Sequence, residues 1–253
     1  MNTKQPDTIL EFNNVSKHFG GVKAVRNCSF YVKKGQITGL IGPNGAGKTT
    51  AFNLITGLLK TNSGNIIFMN EDITDKPTHY IANKGLARTF QKVRLFDNLT
   101  IEENLLLAKH HPGENFFKSF FFTRKPSKSL LKKVKQVVNL VGLTKPLSTL
   151  TSELSYGQKR LVELARALMM DYKLLMLDEP TAGVNPFIRK RLKVLLRKLR
   201  SQGKTILLIE HDMDFVMSLS DEVIVLDAGK KLMADKPGKV RKNKKVLEAY
   251  LGK

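Results

Sequence analysis

The run Gly42-Pro43-Asn44-Gly45-Ala46-Gly47-Lys48-Thr49 constrains this chain more than any other segment. It fits G-x-x-x-x-G-K-[ST], and it lies between the apolar stretch Ile37 to Ile41 and a segment with Phe52, Ile55 and Leu59 at helical spacing. Glycines let a backbone wrap a phosphate chain, so that amide N–H groups and a helix N-terminus face the anion. Lys48 is then placed for the β- and γ-phosphates and the Thr49 hydroxyl for Mg²⁺. Strand, glycine-rich turn and helix in that order call for an α/β core.

The rest of the chain agrees. From Leu154 onward the pattern alternates: helix Tyr156 to Met170, strand Lys173 to Leu177, helix Pro186 to Arg200, strand Thr205 to Ile209, helix Asp212 to Leu219, strand Glu222 to Leu226. That order predicts a mostly parallel sheet. Before the phosphate loop, ILEFNNV and CSFYV read as strands, and Asn65 to Met69 as another. Pro77 to Lys84 reads as a short helix, and Thr100 with Glu103 has capping-box spacing ahead of a helix from Ile101. A further helix is expected from Leu130 to Val141. Between His110 and Ser129, phenylalanines interleave with basic residues without a clean period.

Two more segments carry chemistry. Leu174 to Leu177 forms an apolar strand that ends in Asp178-Glu179, and strand ends are where ligands bind in α/β sheets. Asp178 suits Mg²⁺, and Glu179 can polarise the water that attacks a γ-phosphate. Leu154-Ser155-Tyr156-Gly157-Gln158 precedes a helix, and its Ser-x-x-Gln spacing is also that of an ordinary capping box. Phosphoryl transfer asks mainly for positioning and charge neutralisation, so one loop is not sufficient and further donors must close the site.

In order, GPNGAGKTT, Gln91, LSYGQ, LMLDEP and His211 resemble the nucleotide-binding subunit of an ATP-binding-cassette transporter. Within that superfamily, RTFQKVRLF, IEENLL, LIEHDMDFVM and VLEAYLG are most similar to the LivG-type ATPases of branched-chain amino-acid importers, and the similarity covers nearly the whole chain. The resemblance implies an α/β fold: a P-loop NTPase (RecA-like) core over residues 1–91 and 159–253, an N-terminal antiparallel β region, and an inserted helical signature subdomain over residues 92–158. It also implies an ATPase that binds ATP and Mg²⁺, held head to tail against a second ATPase subunit, either another copy or a LivF-like chain.

Carried over residue by residue, Gly42 to Thr50 would hold ATP, with Phe19 stacking on adenine where a tyrosine is commoner. Thr49, Gln91 and Asp178 would attend Mg²⁺, and Glu179, His211 and Gln91 the hydrolytic water and γ-phosphate. Ser155, Tyr156, Gly157 and Gln158 would contact the partner's ATP, with Tyr156 in place of the usual glycine. Phe19 as core packing and His211 as a structural strand-end residue stand as the plainer readings. Asn185, where many relatives have aspartate, also fits an N-cap ahead of Pro186.

Composition narrows the functional class. A net charge of +21 attracts nucleic acid, anionic lipid or polyphosphates, or marks solvated faces. A nucleic-acid-handling cassette usually carries a long coiled coil or a second cassette, and neither is visible, so no nucleic acid partner is expected. Cassettes for urea or amide uptake and for lipopolysaccharide export are nearer alternatives. The lone cysteine, Cys28, points to a reducing cytoplasm, and the apolar runs are too short to cross a bilayer; the resemblance implies a peripheral subunit on the cytoplasmic face of the inner membrane, bound to transmembrane permease subunits.

Overall fold

Two sheets and a helical layer carry the chain through residues 7–91, 93–109 and 126–251, the part described by the computed structural model. The Phe-rich segment noted above lies largely outside these residues. Strands β1 (Thr8–Phe19), β2 (Val22–Lys33), β4 (Ser63–Phe68) and β5 (Glu71–Asp72) form an antiparallel sheet in the order β2-β1-β4-β5. Both long strands exceed the runs expected from the sequence. They do so by absorbing irregularities: the β1–β2 register shifts between Phe12 and Val15 and again before His18, with Asn14 and Asn27 at positive φ.

The second sheet has the order β10-β9-β3-β8-β7-β6. It comprises β3 (Ile37–Ile41), β6 (Leu86–Arg88), β7 (Leu174–Asp178), β8 (Thr205–Ile209), β9 (Glu222–Asp227) and β10 (Lys230–Asp235). All neighbours pair in parallel except β9 and β10. Every residue of β3, β7 and β8 is buried, as befits parallel strands covered on both faces.

Among the described residues the chain divides into two compact units. One takes the residues up to Arg88, Lys173–Glu179 and everything from Leu196 on, and it holds both sheets. Its helices are α1 (Lys48–Ile55), α2 (Thr78–Asn83), α7 (Met213–Leu219), α8 (Pro237–Arg241) and α9 (Lys244–Leu251). Helix α1 stops at Ile55, short of Leu59, because Thr56 turns its hydroxyl back onto the Phe52 carbonyl (2.8 Å) and Gly57 adopts φ +69°. The core of this unit includes Phe12 and Phe30, stacked at 4.7 Å, together with Phe52, Phe68, Ile55 and Ile66. Cys28 is part of it, and burial pushes its thiol up to about 11, with Lys231 opposing.

The second unit takes Thr89–Tyr172 and Pro180–Leu195. Helices α3 (Ile101–Leu107), α4 (Lys128–Val141) and α5 (Tyr156–Met169) pack on one another in it, and Leu105, Val134, Val138, Leu161 and Ala165 on them are buried. Thr100 and Glu103 make the expected capping box. Helix α6 (Pro186–Ser201) contributes residues to both units.

Because Phe12 is fully buried and stacked, Phe12→Ala removes a ring that nothing can replace. It should lower stability by about 3–5 kcal/mol, read as a fall in the urea midpoint with an unchanged slope.

Candidate active site

The phosphate loop leaves the C-terminal end of β3 and enters α1 under tight steric control. A Cβ on Gly42 would sit 2.2 Å from the Leu226 carbonyl oxygen, and one on Gly47 2.4 Å from that of Ala24. Only glycine fits at either place, and Gly47 also takes φ +96°. Ala46 is buried, Pro43 is half-buried, and Asn44 and Gly45 are exposed. Lys48 is buried and donates to the carbonyls of Gly42 (2.6 Å) and Pro43 (2.9 Å). Burial holds its ammonium below the usual lysine range, and the neighbouring Glu179 and Asp178 carboxylates pull it back up. The Thr49 hydroxyl is exposed in the first turn of α1, and Thr50 is half-buried. At the far end of the chain, partial burial pushes the phenol of Tyr250 on α9 up to about 12, with the Gly42 backbone opposing.

Asp178 ends β7 at 2% exposure, and its carboxylate accepts a hydrogen bond from Arg88 Nη2 at 2.8 Å. The same guanidinium donates to Asn53 on α1 (2.8 Å) and to Thr56 at its C-terminal end (2.9 Å), and lies over the Phe52 ring. Arg88 thereby ties the acidic strand end to the helix behind the phosphate loop. The next residue, Glu179, takes φ +49°, which costs of order 1–3 kcal/mol for a side chain of this size. Its backbone N–H donates to the Ile209 carbonyl at 2.9 Å, so the neighbouring strand β8 secures the turn. Beyond β8, His211 Nε2 lies 2.8 Å from Glu179 Oε1. With Glu179 as the carboxylate, this geometry requires the Nε2–H tautomer.

Within the first unit, then, Lys48, Asp178, Glu179 and His211 converge on the strand ends. Phe19 is elsewhere in that unit: it ends β1, is 46% exposed and has Lys17 Nζ over its ring at 5.3 Å, so it is not core. Gln91 and the Ser155 segment belong to the second unit, and each is built there by local bonds. Ser155 caps α5, accepting from the Gln158 N–H (3.3 Å), while Gln158 Oε1 accepts from the Ser155 N–H (3.0 Å). The capping-box reading is therefore realised. Tyr156 is exposed, has Arg160 beneath its ring and packs closely on Gly183, and Gly157 faces Ile188.

Gln91 is exposed, and its main chain is clamped from α5. Arg160 donates to the carbonyls of Phe90 (2.6 Å) and Gln91, Glu163 accepts from the Phe90 N–H (3.2 Å), and Arg166 donates to the Arg94 carbonyl. Burial pushes the Glu163 carboxyl up, against the pull of the Phe90 N–H and Arg160. Asn185 accepts from the Ile188 N–H at 2.9 Å and so caps α6.

The family model described as ABC transporter matches residues 25–182. The chain belongs to the ABC transporter family. It is 43% identical over 249 residues to the high-affinity branched-chain amino acid transport ATP-binding protein BraF of Pseudomonas aeruginosa, covering 96% of this chain and 98% of that one. It is 40% identical to the LivG protein of the same description from Escherichia coli, with the same coverage. Among solved structures, the ADP conformation of an ATP-binding cassette of an ABC transporter superposes with a TM-score of 0.84 at 35% identity, over 97% of this chain and 99% of that one. The α/β cassette fold expected from the sequence is thus the fold observed.

Two groups in this cassette escaped sequence reasoning: Arg88, and the clamp formed by Arg160, Glu163 and Arg166. Neither has a local signal for what it holds, since Asp178 lies 90 positions from Arg88 and the Phe90 carbonyl 70 from Arg160. Arg88→Met strips the buried Asp178 carboxylate of this ion pair and should cost about 3–5 kcal/mol, seen as a lowered thermal midpoint. Arg160→Met leaves the phosphate loop untouched but removes the side-chain hydrogen bonds to the Phe90 and Gln91 carbonyls. Amide exchange over residues 89–91 should accelerate, while exchange in β3 and β7 stays as in the parent chain.

Proposed function

We propose that this chain is the ATP-hydrolysing subunit of an importer, that its substrates are branched-chain amino acids, and that ATP-driven closure of two such subunits powers transport. The observation that carries the hydrolytic reading is the Glu179–His211 pair, 2.8 Å apart at the strand ends beside Lys48. The near full-length identity to BraF and LivG proteins supports the substrate class. In this reading residues 92–158 act as the signature subdomain, Phe19 stacks on adenine, and the glycines, Ala46 and Thr50 of the loop line the phosphates.

Lys48 exchanges its loop carbonyls for the β- and γ-phosphate oxygens, which favour its charged form. Glu179 accepts hydrogen-bond density from the attacking water and orients it, and His211 holds Glu179 and reaches toward the γ-phosphate. Gln91, steadied through its own main chain by Arg160, senses that water.

The donor set suits Mg²⁺. Thr49 offers an exposed hydroxyl and Asp178 a carboxylate, while the described residues contain no group of three or more His, Cys, Asp or Glu side chains that could hold a metal by themselves. A cation that keeps its waters and draws on phosphate oxygens fits such a sparse set, and when bound it would neutralise charge on those oxygens. Ser155, backed by the N-terminus of α5, contacts the γ-phosphate held by the second subunit, together with Tyr156, Gly157 and Gln158. That subunit is another copy or a LivF-like chain. The pair sits on permease subunits at the cytoplasmic face of the inner membrane. In support, no described helix is long and apolar enough to cross a membrane.

Glu179→Gln keeps the size and the backbone of the residue but removes the base. Steady-state hydrolysis should fall about 10²–10⁴-fold while ATP affinity is retained and a dimer accumulates on gel filtration. Turnover at the parental rate would reject Glu179 as the base. Ser155→Arg should abolish the ATP-dependent dimer without weakening ATP binding to the monomer.

A further inference from the structure

Away from the phosphate loop, the antiparallel sheet and β10 form a concavity of about 600 Å³ lined only by polar and charged residues. Such a volume is within the range of ligand pockets, roughly 300–1,000 Å³. Lys23 and Arg26 on β2 and Lys230 and Lys231 on β10 supply four cations, and His18 on β1 faces them. The lining contains no carboxylate, no apolar residue, no residue of the phosphate loop, and not Phe19.

We propose that this concavity is a second anion site, built for a ligand bearing several phosphate groups. The proposal does not depend on the hydrolytic reading above. Four like charges in one hollow repel one another, whereas several cations elsewhere in this unit have carboxylate partners: Lys84 with Glu71, Arg200 with Asp221, Lys33 with Glu222. Here, among the described residues, none of the four is in an ion pair. Even Asp227, opposite Lys230 in the β9–β10 ladder, makes none. A multivalent anion relieves that repulsion, and mixed Arg and Lys donors match phosphate oxygens.

The site is also stiff where it needs to be. Ser16 Oγ donates to Asn27 Oδ1 (2.9 Å) and accepts from the Asn27 N–H (3.0 Å), which pins the bulge that splays β1 from β2. The Arg26 N–H donates to the Gly229 carbonyl at 2.8 Å, so the turn before β10 is fastened to β2 and the two pairs of cations keep their spacing. Ser29 and Ser63 complete the lining, and the Ser29 hydroxyl is held by Asn14, donating to Asn14 Oδ1 (2.9 Å) and accepting from the Asn14 N–H (2.8 Å). No aliphatic side chain and no Phe, Tyr or Trp lines the hollow, so recognition rests mainly on the phosphates. Those can come free in solution or on a lipid headgroup.

The test uses the full chain and two probes. Inorganic tripolyphosphate is titrated by calorimetry into the Lys48→Ala form, in which binding at the nucleotide loop is crippled, and into the same form also carrying Arg26→Gln and Lys230→Gln. In parallel, the parent chain and the Arg26→Gln/Lys230→Gln pair are sedimented with phosphatidylcholine vesicles with and without cardiolipin, whose headgroup carries two phosphates. A loss of tripolyphosphate affinity of about tenfold or more in the triple variant establishes the site for a free anion. A loss of cardiolipin-dependent sedimentation without any tripolyphosphate binding assigns it to a headgroup. Undiminished binding of both probes by the charge-neutralised chains, or binding of neither by their parents, overturns the proposal. Parental ATPase turnover in the Arg26→Gln/Lys230→Gln pair shows that the chain is folded, so that a loss of binding reports the concavity alone.

Discussion

A backbone that must pass within reach of two carbonyl oxygens has no room for a side chain, and the nucleotide loop is made by that constraint. Gly42 abuts Leu226 of β9 and Gly47 abuts Ala24 of β2, so the loop is pressed between the two sheets rather than hung from one. Its shape is consequently a property of the core. The Gly229 N–H donates to the Ala46 carbonyl, and the Arg26 N–H to that of Gly229, which extends the same framework through main-chain groups that any sequence would possess. What the sequence must supply is the absence of Cβ atoms at two points.

Around that loop the cassette holds several groups at local cost. Glu179 holds an unfavourable φ, Lys48 is buried with its ammonium directed at carbonyls, and Asp178 is buried with its carboxylate on Arg88. Each would be poor design in an isolated domain. Each is tolerable here because β3, β7 and β8 are buried along their full length and fix the ends from which these groups project. In the second unit the same logic acts through α5, where the face that carries Arg160, Glu163 and Arg166 sets the course of the chain at Phe90 and Gln91.

How much of this could be read from the sequence depended on range. The loop, the acidic strand end, the capping boxes at Thr100 and Ser155, and the alternation from α5 to β9 are written in residues a few positions apart, and they are found where spacing put them. Strand β10 was not legible: Lys230 to Asp235 has no β-branched residue, and it becomes a strand because Gly229 turns the chain back along β9. Strand β6 is too short to show a period, yet its pairing with β7 is what carries Arg88 to Asp178. Ser155 could be read in two ways, and the structure displays the capping one while leaving its outward face available.

Cys28 lies in the floor of the antiparallel sheet, screened from solvent and with a thiol that resists ionisation until far above neutrality. A thiol in that state is inert to maleimides and to spin-label reagents. Because the chain has no other cysteine, it is a ready-made blank for spectroscopy. A cysteine introduced at an exposed position such as Val194 would be the sole reactive point, and pulsed electron resonance between two labelled copies could follow how far apart they stand at each stage of the nucleotide cycle.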